Sequence, residues 1–157
     1  MKIQVTSGTG EGETGINAFD RALVGTGIAD FNLVGLSSII PEDSVVEACE
    51  PELEGVDYGD RLYVVMSKNV VDEEGEEAWV GIGWAQERES GRGIFMEGCG
   101  SSQEGVEKYI RRALESACEY RQEDLEISGI EVSGRECRGK PVCAVVAAVY
   151  EAEGWEK

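Results

Sequence analysis

The sequence of 157 residues contains no histidine. That absence removes Ser-His-Asp and Cys-His catalysis, histidine-ligated zinc and imidazole proton shuttling. Any general acid must then be a carboxyl, lysine, tyrosine or cysteine whose surroundings adjust its pKa. Basic residues are scarce as well: 14 Lys and Arg stand against 32 Asp and Glu, a formal net charge of −18. Nucleic acid and anionic membrane surfaces need clustered positive charge, so neither is expected as a partner. An acidic cleft would concentrate a cationic small molecule, although a solvated acidic coat is the plainer source of the charge. Five cysteines, Cys49, Cys99, Cys118, Cys137 and Cys143, are odd in number and form no C-x-x-C pair. They suit idle thiols in a reducing cytoplasm rather than a disulfide framework or a zinc ribbon. The chain opens without a charged-then-apolar leader, and its longest apolar run, Val142 to Tyr150, is nine residues. That run is too short to span a bilayer, so a soluble cytoplasmic protein is expected.

Glycine, by contrast, is plentiful, and its 21 residues punctuate short elements along the chain. The expected order begins with a strand at 2–6, a Gly-rich loop at 8–15 and a helix over 17–24. Strands follow at 31–36 and 45–49. Residues 61–70 and 77–86 flank Asp72-Glu73-Glu74-Gly75 and read as a hairpin. Another strand is expected at 92–97. The longest helix is expected over 102–122, where Val106, Tyr109, Ile110, Ala113, Leu114, Ala117 and Cys118 form one apolar stripe. Ser101 and Glu104 have the spacing of a capping box at its start. Strands at 125–132 and 142–150 complete an α+β layered fold, read as a single domain over 1–157.

Gly10-Glu11-Gly12-Glu13-Thr14-Gly15 matches G-x-G-x-x-G, but two glutamates would oppose a pyrophosphate and no βαβ series follows. A tight structural turn is the better reading of it. Ser101-Ser102 is explained by helix capping. Ser37-Ser38 is less easily dismissed, because two hydroxyls in the apolar stretch from Asn32 to Pro41 are costly to bury without partners. No acidic cluster shows metal-ligand spacing, so no metal is expected. Pyridoxal phosphate is not expected either, since Lys2, Lys68, Lys108, Lys140 and Lys157 come with no phosphate cradle.

Three segments carry a resemblance: Asn17-Ala18-Phe19-Asp20-Arg21-Ala22-Leu23, Asn32-Leu33-Val34, and Leu36-Ser37-Ser38-Ile39-Ile40-Pro41. With Phe95-Met96-Glu97-Gly98 they make the chain similar to the archaeal pyruvoyl-dependent arginine decarboxylases. Glu42 departs from the second proline that many members carry. The resemblance implies a four-layer α/β/β/α sandwich of the pyruvoyl-dependent histidine and arginine decarboxylase type. It implies self-cleavage between Ser37 and Ser38 into a β chain, 1–37, and an α chain, 38–157. The Ser38 hydroxyl attacks the Ser37 carbonyl, and elimination and hydrolysis leave a covalent pyruvoyl group at position 38. An ordinary serine is a weak nucleophile, so the fold must strain the peptide and stabilise the oxyanion.

By the same resemblance Asn32 is the candidate oxyanion donor and Glu97 the proton donor in turnover. Asp20 receives the guanidinium of L-arginine through paired hydrogen bonds. Judged on the residues alone, Asn32 is equally a turn former, and Glu97 and Asp20 are ordinary surface acids. The implied reaction is L-arginine to agmatine and carbon dioxide, for polyamine synthesis, in trimers of αβ units or hexamers with sites between subunits. Glu97→Gln is expected to leave cleavage intact and remove turnover. Two alternatives stay open: a pyruvoyl-dependent aspartate decarboxylase using Arg21 or Arg92, or an unprocessed oligomeric binding protein for cationic metabolites.

Overall fold

The computed structural model describes residues 1–156; Lys157 lies outside the described residues. Nine strands and two helices are described in chain order: β1 (Lys2–Glu11), α1 (Gly15–Thr26), β2 (Asn32–Gly35), β3 (Ile39–Ile40), β4 (Val45–Ala48) and β5 (Arg61–Val71), then β6 (Glu77–Glu87), β7 (Gly93–Gly100), α2 (Gln103–Arg121), β8 (Leu125–Glu136) and β9 (Val142–Glu153). They form a five-stranded sheet, β2-β5-β9-β1-β4, and a four-stranded sheet, β3-β7-β6-β8.

Three apolar clusters stack these elements into four layers, α/β/β/α. Between the sheets lie Ile3, Val5, Val65, Val80, Ile82, Trp84, Phe95 and the alternate β9 residues Val142, Ala144, Val146 and Ala148. The other β9 set, Cys143, Val145, Ala147 and Val149, faces α1 through Ala18, Ala22 and Leu23. With both faces covered, β9 reads as an unbroken apolar run instead of an alternation. On the far side, Val106, Ile110, Leu114 and Ala117 of α2 cover the four-stranded sheet. Among the described residues no helix is long and apolar enough to cross a membrane.

Three local expectations are corrected. The glycines at 8–12 belong mostly to β1 and not to a loop, because α1 lies against the strand: a Cβ on Gly10 would meet the Ala18 carbonyl oxygen at 2.4 Å. The G-x-G-x-x-G spacing thus serves helix-on-strand packing. Residues 61–71 and 77–87 are not a hairpin, since β5 pairs with β2 and β9 while β6 pairs with β7 and β8. The acidic connector carries the chain from one sheet to the other, and the two strands face each other across the core. Finally, α2 is capped by Ser102, whose hydroxyl accepts from the Gly105 N–H at 3.1 Å. Glu104 pairs with Lys108 at 3.0 Å instead of closing a box with Ser101.

Candidate active site

The stretch from Asn32 to Pro41 steps between the two sheets. β2 runs parallel to β5, and one residue beyond it the Leu36 N–H still donates to the Val64 carbonyl at 2.9 Å. Three residues later, Ile39 and Ile40 pair with Ile94 and Gly93 of β7 in the opposite sheet. β-Branched side chains favour that extended pairing, and Pro41, without an N–H, follows its end. Ser37 and Ser38 make the step.

The turn is absorbed by Ser38, which has φ 67°. A non-glycine residue in this left-handed region costs about 1–2 kcal/mol. Such strain persists only where neighbours hold it, and it gathers at reactive sites. Here the Ser38 carbonyl accepts from the Phe95 N–H at 2.9 Å. The Ser38 hydroxyl donates to Glu97 Oε1 at 2.5 Å.

Glu97 reaches Ser38 because of strand alternation. It lies two residues from Phe95 on β7, so it shares the face that Phe95 buries between the sheets, while Met96 turns toward α2. A partly buried carboxylate thus sits on the hydroxyl of the one strained serine. That arrangement supplies a proton acceptor to a weak nucleophile.

Tyr150, at the end of the apolar run in β9, is a part of the site that the sequence reading missed. Its hydroxyl donates to the Ile39 carbonyl at 2.8 Å. Burial, and next the charge of Glu97, pushes its phenol pKa above the ordinary value, so it stays protonated and remains a donor. Nothing in periodicity separates this tyrosine from any aromatic closing a buried strand.

A cavity of about 470 Å³ shares Leu36 and Tyr150 with this segment and is further lined by Met1, Tyr63, Glu151 and Glu153. Tyr63 donates to Glu153 at 2.6 Å, and that bond raises the Tyr63 pKa first, ahead of burial. Its acidic wall favours a cationic occupant.

The other expected residues lie elsewhere in the chain. Asp20 is exposed on α1, lining a second cavity of about 330 Å³ with Glu11, Glu13, Asn17, Arg21 and Lys140. The β1–β9 ladder places Gln4 beside Val149 and Glu11 beside Val142. Asp20's end is therefore seven residues, or about 23 Å of strand, from the end that carries Tyr150. Asn32 is exposed at the start of β2, and its amide donates to the Gly59 carbonyl at 2.6 Å. Trp155 donates to the same carbonyl at 2.8 Å. Within one chain the fold brings Ser38 and Glu97 together and leaves Asp20 and Asn32 apart from them.

A family model described as pyruvoyl-dependent arginine decarboxylase matches residues 2–154. The chain is 34% identical to a protein of that name from Methanopyrus kandleri over 151 residues, 95% of each chain. It is 33% identical to the one from Thermococcus kodakarensis over 150 residues, 92% of this chain and 91% of the relative. Identity to the Methanothermobacter thermautotrophicus protein is 44% over 77 residues, 48% of either chain.

Proposed function

The chain belongs to the pyruvoyl-dependent arginine decarboxylase family, and from that membership we propose that it converts L-arginine to agmatine and carbon dioxide, a reaction of polyamine synthesis. The observation that carries the proposal is the 2.5 Å contact of the strained Ser38 with Glu97. The family's cofactor is a covalent pyruvoyl group, and the residues at position 38 fit one. The serine hydroxyl has a carboxylate to take its proton, its backbone is strained, and its carbonyl is held by β7.

In this reading the Ser38 oxygen attacks the Ser37 carbonyl carbon and the Ser37–Ser38 amide bond breaks. Glu97 takes the hydroxyl proton, and a proton passes to the freed Ser38 nitrogen. The ester then eliminates: the Ser38 α-proton leaves and Ser37 departs as a carboxylate. One water is consumed and one ammonia released, giving chains 1–37 and 38–157. A ketone at position 38, held by the Phe95 N–H on its neighbouring carbonyl, would supply an electrophile for the substrate amine and a sink for the electron pair left when carbon dioxide departs. Glu97, already within reach of position 38, holds and returns the proton that each turnover consumes.

Asp20 is assigned to the guanidinium, with which a carboxylate makes a planar, doubly hydrogen-bonded pair. Its distance from Ser38 in one chain favours its supply by a second copy, in a trimer of αβ units or a hexamer. Asn32, exposed at its own end of β2, is assigned to the same interface as the oxyanion donor. A cationic substrate suits the setting better than aspartate. Arg92 is engaged by Glu87 at 3.2 Å and Glu42 at 3.9 Å, and Arg21 lies among Glu11 and Glu13. The cytoplasm, where thiols stay reduced, suits five cysteines that are all free.

The test is to incubate the purified, split protein with L-arginine and with L-aspartate and to quantify the products. Agmatine from arginine and nothing from aspartate is expected. A fully split preparation that makes no agmatine overturns the assignment.

A further inference from the structure

We propose that Tyr150 is a positioning residue for the maturation of Ser38: it fixes the downstream side of the peptide that is cut, and it holds the new chain end afterwards. The inference rests on the self-cleavage described above and adds to it a residue from the opposite sheet.

The argument begins with how little holds β3. It is two residues long, it lies at the edge of the four-stranded sheet, and it pairs only with β7. A strand this short at a sheet edge frays unless something else pins it. Upstream, the chain is fastened to the five-stranded sheet by the Leu36 N–H on Val64. Downstream, the Phe95 N–H holds the Ser38 carbonyl from β7, and the Tyr150 hydroxyl holds the Ile39 carbonyl from β9. Tyr150 therefore ties the two sheets together at the place where the chain crosses between them.

That tie bears on the reaction through geometry. Ser38 keeps φ 67° only while the chain before and after it is fastened, at Leu36 upstream and at the Ser38 and Ile39 carbonyls downstream. With the Ser38 and Ile39 carbonyls both held, rotation about the Ser38 backbone is restricted, and so is the direction in which its hydroxyl can approach the Ser37 carbonyl. After the cut, residue 38 becomes a chain end, and the same two bonds keep it against Glu97.

The tyrosine is itself held in place. Its ring meets Phe95 edge-on, centroids 6.1 Å apart and planes at 66°, and Phe95 in turn meets Trp84 at 6.4 Å and 62°. This aromatic row fixes the ring while the hydroxyl makes its bond, so the hydroxyl can be removed without disturbing the packing.

The experiment follows the appearance of the 38–157 chain by gel and intact mass for freshly produced wild type and Tyr150→Phe, with melting temperatures measured in parallel. A destabilising control far from the site, Ala117→Gly in α2, sets how much slowing loss of stability alone causes. The expected result is that Tyr150→Phe splits about tenfold more slowly, the effect of losing one hydrogen bond, and more slowly than its loss of melting temperature accounts for on the Ala117→Gly scale. In the fraction that does split, kcat falls while KM for arginine stays as in wild type. Splitting at the wild-type rate overturns the inference. So does slowing no greater than that of an Ala117→Gly chain with an equal loss of melting temperature. A wild-type chain that stays whole overturns the self-cleavage reading, and this inference falls with it.

Discussion

The hydroxyl of Ser38 and the carboxylate of Glu97 meet at 2.5 Å across 59 residues of sequence, one from the residue just before the two-residue strand at the sheet edge and the other from the strand that pairs with it. This contact is the ground for proposing that Glu97 takes part in the cut as well as in turnover. The sequence reading had it act only afterwards.

A test of that earlier part is Glu97→Gln. The amide still accepts a hydrogen bond from Ser38 but cannot take its proton. Splitting is expected to slow by about 100-fold or more, the usual worth of a positioned base. A time course of intact mass measures it. Splitting at the wild-type rate would return Glu97 to the later step alone.

Asp20 offers a test of where the substrate is completed. Asp20→Asn is expected to split normally, because the residue lies far along the strand from Ser38. Its KM for arginine is expected to rise by about 10- to 100-fold, the loss of a charge-assisted pair. Mixing Asp20→Asn with Ser38→Ala subunits, after unfolding and reassembly, is expected to restore activity that neither has alone. Each mixed site then takes its ketone from one chain and its Asp20 from the other. Mixtures that stay as poor as Asp20→Asn would place the complete site within one chain.

The packing of α1 on β1 predicts a sharp contrast between two glycines. Gly10→Ala would drive a methyl into the Ala18 carbonyl oxygen and the Ala22 nitrogen, both backbone atoms of α1. A loss of about 1–3 kcal/mol in stability is expected from such overpacking. Gly35→Ala meets nothing within 4 Å and is expected to change stability by less than about 0.5 kcal/mol. Denaturant melts of the two variants, measured side by side, decide it.

What the sequence made legible, and what it did not, follows from the physics of each segment. The α2 stripe was legible because Val106, Ile110, Leu114 and Ala117 face one sheet and the opposite side faces water. The strand nature of Gly8 and Gly10 was hidden, because glycine is read as a breaker when its role is instead to admit a helix backbone. The separation of β5 from β6 was hidden for another reason. A turn between two extended runs looks the same whether the strands pair edge to edge or face each other across a core. At the site, Ser37, Ser38 and Glu97 were named through family likeness, since nothing in spacing links a serine to an acid 59 residues away. Tyr150 could not be named at all, as its role exists only once β9 is laid against β3 across the sandwich.

The most direct measurement is the intact mass of the purified protein beside that of its Ser38→Ala variant. Two pieces are expected from the wild type, residues 1–37 and 38–157, the larger one lighter by one ammonia than a fragment with an N-terminal serine. The variant is expected to remain one chain. A wild-type sample that stays unbroken, or a larger piece that keeps its serine nitrogen, contradicts the account.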